Sequence, residues 1–215
     1  MTPREIGIMF KPWGILGLLG RYKRSTMRVI GPPSHVDDAD RLAVEDGVVY
    51  AWHGRTGYGL TPPFGPVGTV FYAKETFRVL TFDNTSDIPV VELKADSTAD
   101  PRILCHNQTA IEQARRYASS GAWKSPRFMP KWAARPNRWR ITKIPPIPAN
   151  DTTEEIARGE GFERVLIGQE KWWKYNDMLY VFALSAWRVA IEEIHPGILD
   201  KNKWMWLYDF EEVTT

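Results

Sequence analysis

The sequence is poor in the residues that staple or metallate small proteins. It holds a single cysteine, Cys105, in 215 residues, which excludes an internal disulfide framework and any zinc site built on paired thiolates. So few thiols fit a reducing, intracellular setting. Histidine is scarce as well. His35, His53, His106 and His195 are scattered at no metal-ligand spacing, and the adjacency of Cys105 and His106 is no evidence of a catalytic pair. No metal or cofactor is expected, because no ligand set is visible. An excess of one charge is also lacking. The 28 basic and 26 acidic side chains leave a net charge of +2, too balanced for tight, non-specific wrapping of a nucleic-acid backbone. The apolar run Trp13 to Leu19 is too short and too rich in glycine to cross a bilayer. The opening Met1-Thr2-Pro3-Arg4-Glu5 lacks a signal-peptide pattern. These absences lead to the expectation of a cytoplasmic protein with no membrane association.

Aromatic residues, by contrast, are plentiful: 13% of the chain, with ten tryptophans. Tryptophan combines a large apolar face with one N–H donor, so it suits either a core made of strands or a cleft that stacks flat ligands. Hydrophobic residues at 43% and charged residues at 25% are ordinary for a globular protein, and the length suggests one domain with elaborations.

Pattern along the chain suggests short strands mixed with a few helices. Ile6 to Phe10, Gly47 to His53, Val70 to Leu80, Trp139 to Ile144 and Lys203 to Val213 read as strands. Trp13 to Leu19 and Thr109 to Ser119 read as helices. Asp151-Thr152-Thr153-Glu154-Glu155 is an N-cap signature for a further helix reaching about Arg158 and stopping near Gly161. Gln169 to Glu193 reads as a long helix with an aromatic stripe. Arg21 to Arg28 reads as a basic loop closed by Pro32-Pro33, Gly57 to Gly68 as a loop, Asp96 to Pro101 as a break, and Pro145-Pro146 as the end of a strand. The expected class is α+β.

Several blocks, read in order, resemble the ASCH domain family of the PUA-like superfamily. Phe10-Lys11-Pro12-Trp13 and Gly20-Arg21-Tyr22-Lys23-Arg24-Ser25-Thr26-Met27-Arg28-Val29-Ile30 are similar to its opening strand, helix and Gly-Arg-Lys-Thr-x-Thr loop. Val67-Gly68-Thr69-Val70-Phe71-Tyr72-Ala73-Lys74-Glu75-Thr76-Phe77 resembles its Gly-Asp-x-Leu-x-Val-Arg-Glu-Thr-Phe strand. Met129-Pro130-Lys131-Trp132-Ala133-Ala134-Arg135 looks like a block of phage-type members. Ile141 to Ile144 with Thr153 to Gly161, and the final Trp204-Met205-Trp206-Leu207-Tyr208-Asp209-Phe210, complete the series. Tyr22 stands as an insertion in the loop, Arg24-Ser25 replace the usual Thr-x, and the segments at about 88–125 and 168–200 are longer than in minimal members. The resemblance implies one domain over residues 1–215, a PUA-like β-barrel with flanking helices.

Small bacterial ASCH proteins similar in this loop are N4-acetylcytidine amidohydrolases. Their catalytic Lys, Thr and Glu fall on Lys23, Thr26 and Glu160 here. The implied activity is removal of acyl groups from the exocyclic N4 of cytidine or cytosine derivatives. The chemistry is sound in principle. A threonine hydroxyl needs a neighbouring base to become a nucleophile, and a lysine amine serves once burial lowers its pKa. Glu160 then acts as orienter or proton shuttle, and backbone N–H groups of the Lys23 to Met27 loop are candidate oxyanion donors. Ser25 is the rival nucleophile. Alternatively Thr26 only caps a turn, and Glu160 is a helix-end residue whose charge opposes the macrodipole.

Phe10, Lys11, Arg28, Glu75 and Trp132 are the candidate substrate-binding residues. Phe10 and Lys11 end the first strand beside the loop. Arg28 binds a carbonyl or phosphate, or pairs with Glu75. Glu75 accepts from a base amino group or forms an ion pair. Trp132 stacks on a base or belongs to the core. The competing function is an RNA-binding or RNA-cleaving ASCH protein without amidase activity; a third is a module that reads a modified base. Near-neutral charge favours a small nucleoside partner over a polymer.

Overall fold

The computed structural model describes residues 5–30, 41–45, 48–83, 88–101 and 107–213. His35, Cys105, His106 and Pro32-Pro33 lie outside the described residues. In chain order the elements begin with β1 (Ile6–Met9), α1 (Pro12–Leu19), β2 (Ser25–Val29), β3 (Arg41–Glu45), β4 (Val48–His53) and β5 (Thr56–Leu60). There follow β6 (Val70–Lys74), β7 (Phe77–Asp83), β8 (Ile88–Leu93), β9 (Thr98–Pro101), α2 (Gln108–Ser120), β10 (Trp139–Lys143) and β11 (Pro146–Pro148). The chain closes with α3 (Glu154–Gly159), β12 (Glu163–Ile167), β13 (Glu170–Tyr175), β14 (Met178–Tyr180), α4 (Ala183–Ile194) and β15 (Trp204–Glu212). The class is α+β. Two compact units share these elements, one from Met1–Leu16, Val70–Trp139 and Val213–Thr215, the other from Gly17–Thr69 and Arg140–Glu212.

In the first unit β1 runs parallel to β6, with Ile6 opposite Phe71 and Met9 opposite Lys74. β7, β8 and β9 form an antiparallel sheet. Successive strand residues face opposite sides, and β8 buries every second residue accordingly. Val91 and Leu93 meet Phe77, Val79, Met129, Ala133 and Ala134 in one core cluster. α2 buries Ala110, Ile111 and Ala114, its first turn capped by the Asn107 side chain and its end set by Gly121 at φ 56°. The expected break at Asp96 to Pro101 is only half correct. The chain turns at Ser97, φ 57°, but Thr98–Pro101 then pair with β8 as an edge strand, where a proline's missing N–H does no harm.

The second unit is organised around β15. It pairs antiparallel with β2, Asp209 opposite Ser25 and Met205 opposite Val29, and with β11, Trp206 opposite Pro146. One expectation is corrected here. Half of the supposed basic loop is strand β2, because Ser25, Thr26 and Met27 are buried against β15; the flanking arginines disguise that. The strand from Trp139 does stop before Pro145-Pro146, at Lys143, and the chain re-enters the sheet at once as β11, where Leu207 N–H donates to the Pro145 carbonyl at 3.0 Å.

Two further corrections concern aromatic strands. Residues 57–60, read as loop, belong to β5, where Gly57 and Gly59 sit opposite Trp52 and Tyr50. A Cβ on Gly57 would lie 3.1 Å from the Trp52 ring, so the ring covers a position with no side chain of its own. The long helix expected from Gln169 is instead the antiparallel sheet β12–β13–β14 followed by α4. Gly168 at φ 63° and Asn176 at φ 51° make its turns. Trp173 and Tyr175 are buried at period two, and their bulky rings favour a pleated surface. Only Ala183–Ile194 keeps the helical stripe, burying Ala186, Trp187, Ala190 and Ile191.

Candidate active site

The site is assembled where the end of α3 meets the start of β2, both in the second unit. Thr153 caps α3 by accepting from Ile156 N–H at 3.3 Å, and Glu154 and Glu155 occupy the first turn, where they favour the helix dipole. The helix stops at Gly159, and Glu160 is its C-cap. Gly161 then reverses the chain at φ 90°, a conformation that L side chains avoid. On the other side, Lys23 N–H donates to the Gly17 carbonyl at 3.0 Å and Arg24 N–H to the Gly159 carbonyl at 2.8 Å.

Two glycines grip the stem of Lys23. A Cβ on Gly161 would lie 2.6 Å from Lys23 Cβ, and one on Gly17 would lie 2.7 Å from the Gly161 carbonyl oxygen. Neither space admits a methyl group without backbone movement. Gly161→Ala should therefore destabilise the protein by about 1–3 kcal/mol, from left-handed strain and overpacking together. Urea unfolding of the two proteins side by side measures this, and an unchanged midpoint would remove the grip from the account.

The lysine amine meets Glu160 twice. Nζ donates to Glu160 Oε2 at 2.7 Å and also to its backbone carbonyl. Glu160 Oε1 accepts the Met27 backbone N–H, so the carboxylate ties the lysine to β2. Lys23 is 4% exposed and Glu160 5%. Thr26, 1% exposed, is held differently: its Oγ1 accepts from Arg28 Nη1 at 2.8 Å. The same Nη1 donates to the Met27 carbonyl at 2.8 Å. Lys23 and Glu160 are joined directly, then, while Thr26 hydrogen-bonds to neither and joins the pair through the Thr26–Met27 peptide.

Burial dominates the electrostatics. It pulls the Lys23 amine below its ordinary value, and the opposing attraction of Glu160 does not restore it. Burial likewise lowers Arg28, against the pull of Glu160 and Tyr208. It pushes the Tyr208 phenol up to about 12, keeping it neutral. Burial and the nearby Arg28 charge lower His195, which holds that imidazole neutral near pH 7.

The other sequence candidates lie in the first unit. Glu75 accepts from Arg135 Nε at 2.7 Å, and Arg135 also reaches Asp96 at 2.7 Å; an ion pair is what Glu75 makes. Trp132 packs against two core clusters of that unit and donates its indole N–H to Gln113 at 3.1 Å. Phe10 is buried 6.2 Å from Phe71, and Lys11 is exposed, its carbonyl accepting from Ile15 N–H.

Two contributors, Phe64 and Gly17, escaped the sequence reading. Phe64 lies under the Arg28 guanidinium, 5.6 Å from ring centroid to Cζ, and 5.3 Å from the Tyr208 ring. Gly17 and Gly161 set the path of Lys23. Phe64 sits in a Gly/Pro-rich stretch without pattern, so no sequence signal marks it. The left-handed Gly161 was signalled, as the stop to a capped helix. The loop N–H groups, expected as oxyanion donors, are already engaged at Lys23, Arg24 and Met27.

No family model, curated protein or solved structure matches the chain. Among the described residues no group of three or more His, Cys, Asp or Glu side chains is placed to hold a metal ion. No helix among them is long and apolar enough to cross a membrane.

Proposed function

We propose that this chain is an ASCH-type, PUA-like amidohydrolase that removes acyl groups from the exocyclic N4 of cytidine or cytosine derivatives. The observation that carries the reading is the buried Lys23–Glu160 pair, whose amine is biased toward its neutral form, one peptide link from a buried threonine hydroxyl. In a neutral amine both N–H bonds are directed at Glu160 oxygens, and the lone pair points away from them. That is the state a general base needs. Arg28 donates to Thr26 Oγ1 and leaves the hydroxyl its own proton to give.

Thr26 Oγ attacks the acyl carbon, and its proton passes to Lys23 Nζ through one bridging water, since the two are not bonded directly. Arg28 stabilises the tetrahedral oxyanion, a role the occupied loop N–H groups leave open; such a donor contributes roughly 3–4 kcal/mol. The C–N bond breaks, and the lysine ammonium protonates the departing exocyclic nitrogen. Water then attacks the acyl-threonine with Lys23 again as base, releasing a carboxylic acid and restoring the hydroxyl. Thr26 is preferred to Ser25 as nucleophile because neighbours on a strand face opposite ways, and Thr26 shares the Arg28 side.

Incubation with N4-acetylcytidine and larger N4-acyl analogues, followed by chromatography, should release cytidine and the free acid. The rate should climb with pH along a limb whose midpoint lies below the ordinary lysine value of 10.5, because deprotonation creates the base. Absence of turnover on all these amides, with the nucleosides still bound, would overturn the proposal.

A further inference from the structure

Ser25 and Thr26 open onto different surroundings. On the Ser25 side lies a cleft of about 630 Å³, framed by β2, α3, β13 and β15. That volume suits a ligand the size of a nucleotide. Four guanidinium groups line it, from Arg21, Arg24, Arg158 and Arg164. Arg21 is paired with Glu212 at 3.1 Å and Arg158 with Glu154 at 3.0 Å. Arg24 and Arg164 make no ion pair among the described residues, and both are exposed. Trp173 forms part of the wall, with the Arg158 and Arg164 guanidinium carbons 5.8 and 5.7 Å from its ring centroid, so their charges are aimed rather than free to sweep solvent.

The floor holds an unspent polar group. Ser25 is 4% exposed, yet its Oγ has no hydrogen-bond partner among the described residues. A buried hydroxyl left so is destabilising, and a native structure retains one where something else satisfies it. It lies just beneath the surface, against Gly159, where a Cβ would come within 2.4 Å of it. Acceptors are present too: the Glu155 and Asp209 carboxyl groups line the same cleft. A simple anion would meet these carboxylates unfavourably. A ligand that offers a phosphate to the arginines and hydroxyl or amino donors to the carboxylates satisfies both halves.

We propose that this cleft, lying on the opposite side of β2 from Thr26, is a second binding site that takes a phosphate together with the hydrogen-bond donors of the nucleotide carrying it. Arg24 and Arg164 hold the phosphate, Ser25 lies beneath it, and Asp209 and Glu155 accept from sugar or base. The nucleotide is either free or one unit of a single strand.

Calorimetric titration of the whole chain with uridine 5′-monophosphate and, separately, with an eight-residue oligouridylate distinguishes these sources. Binding of the mononucleotide, weakened at least tenfold in Arg24→Gln/Arg164→Gln, supports a free nucleotide. Binding of the oligomer alone, with the same arginine dependence and a salt slope that flattens in the double variant, supports a strand. Ser25→Ala should weaken whichever probe binds by a few fold. No binding of either probe, or binding that survives the double arginine substitution, would overturn the site. Neither arginine belongs to the proposed amidase machinery, so cleavage of N4-acetylcytidine should be unchanged in that variant; a failure of the amidase reading would leave this test intact.

Discussion

Thr26→Ala should lower the turnover of an N4-acyl nucleoside by at least about 10³-fold while leaving nucleoside affinity within a few fold. In the proposed mechanism the Thr26 hydroxyl oxygen forms the new bond, so its removal takes away an interaction made on the way to the transition state. Thr26→Ser keeps an oxygen in place and should retain measurable activity. The methyl group it loses is fully buried, so some loss of precision is expected. Lys23→Arg should fail nearly as badly as Thr26→Ala, since a guanidinium does not surrender a proton at ordinary pH. If the protein only bound RNA, the arginine variant would keep its affinity and Thr26→Ala would matter little. Parallel hydrolysis and binding assays on these variants decide between the two, and an active Thr26→Ala protein would leave a directly activated water as the attacking group.

The second large effect is on stability. Lys23→Met should destabilise the chain by about 3–5 kcal/mol, because it strands the Glu160 carboxylate in the interior. Lys23→Met/Glu160→Gln should recover more than half of that loss. Glutamine carries no charge, and its carbonyl still accepts the Met27 N–H that Glu160 holds. Both variants should be inactive, which separates folding from chemistry. The pH dependence has a definite sign. The Lys23 amine binds its proton less readily folded than unfolded, so the unfolded chain carries more protons between the lowered folded value and 10.5, and stability rises with pH across that window. Below the window the penalty for charging the buried amine is present in full. Lys23→Met should lose this rise. Urea midpoints taken at several alkaline pH values measure it; a variant that keeps the wild-type slope would assign the effect to another group.

Much of the site could be read in advance wherever the signal was local. The capped helix ending at Glu160-Gly161 follows from Thr153, Glu154 and a glycine, each acting within one turn. Strands such as Val70–Lys74 and Trp204–Glu212 declare themselves through aromatic and β-branched residues. What was hidden depended on partners far away in sequence. β2 is a strand because β15 lies beside it, not because Arg24 to Arg28 look like one. The residues after Gln169 have helical spacing on paper, yet the turn at Asn176 folds the first of them into strands β13 and β14. The Arg28–Thr26 bond is local, two residues apart on one face of β2, and was hidden only because β2 was read as a loop; the Phe64 ring beneath Arg28 leaves no mark in pattern or composition, since it arrives from a distant part of the second unit.

Lys23 and Glu160 stand 137 positions apart, and the second unit to which both belong is interrupted by Val70–Trp139 of the first. On a ribosome adding about 5–20 residues per second, the lysine waits roughly 7–27 seconds for its carboxylate. During that interval its ammonium has every reason to stay in water, and the strand that follows it has no β15 to lie against. The inserted segment Val70–Trp139, unbroken in sequence, is free to collapse around Phe77, Val79 and Leu93 meanwhile. The proposed chemistry is thus withheld from the nascent chain until both Glu160 and β15 have emerged, and a truncated product ending before Glu160 would carry the proposed nucleophile and its lysine base without the carboxylate that holds the amine.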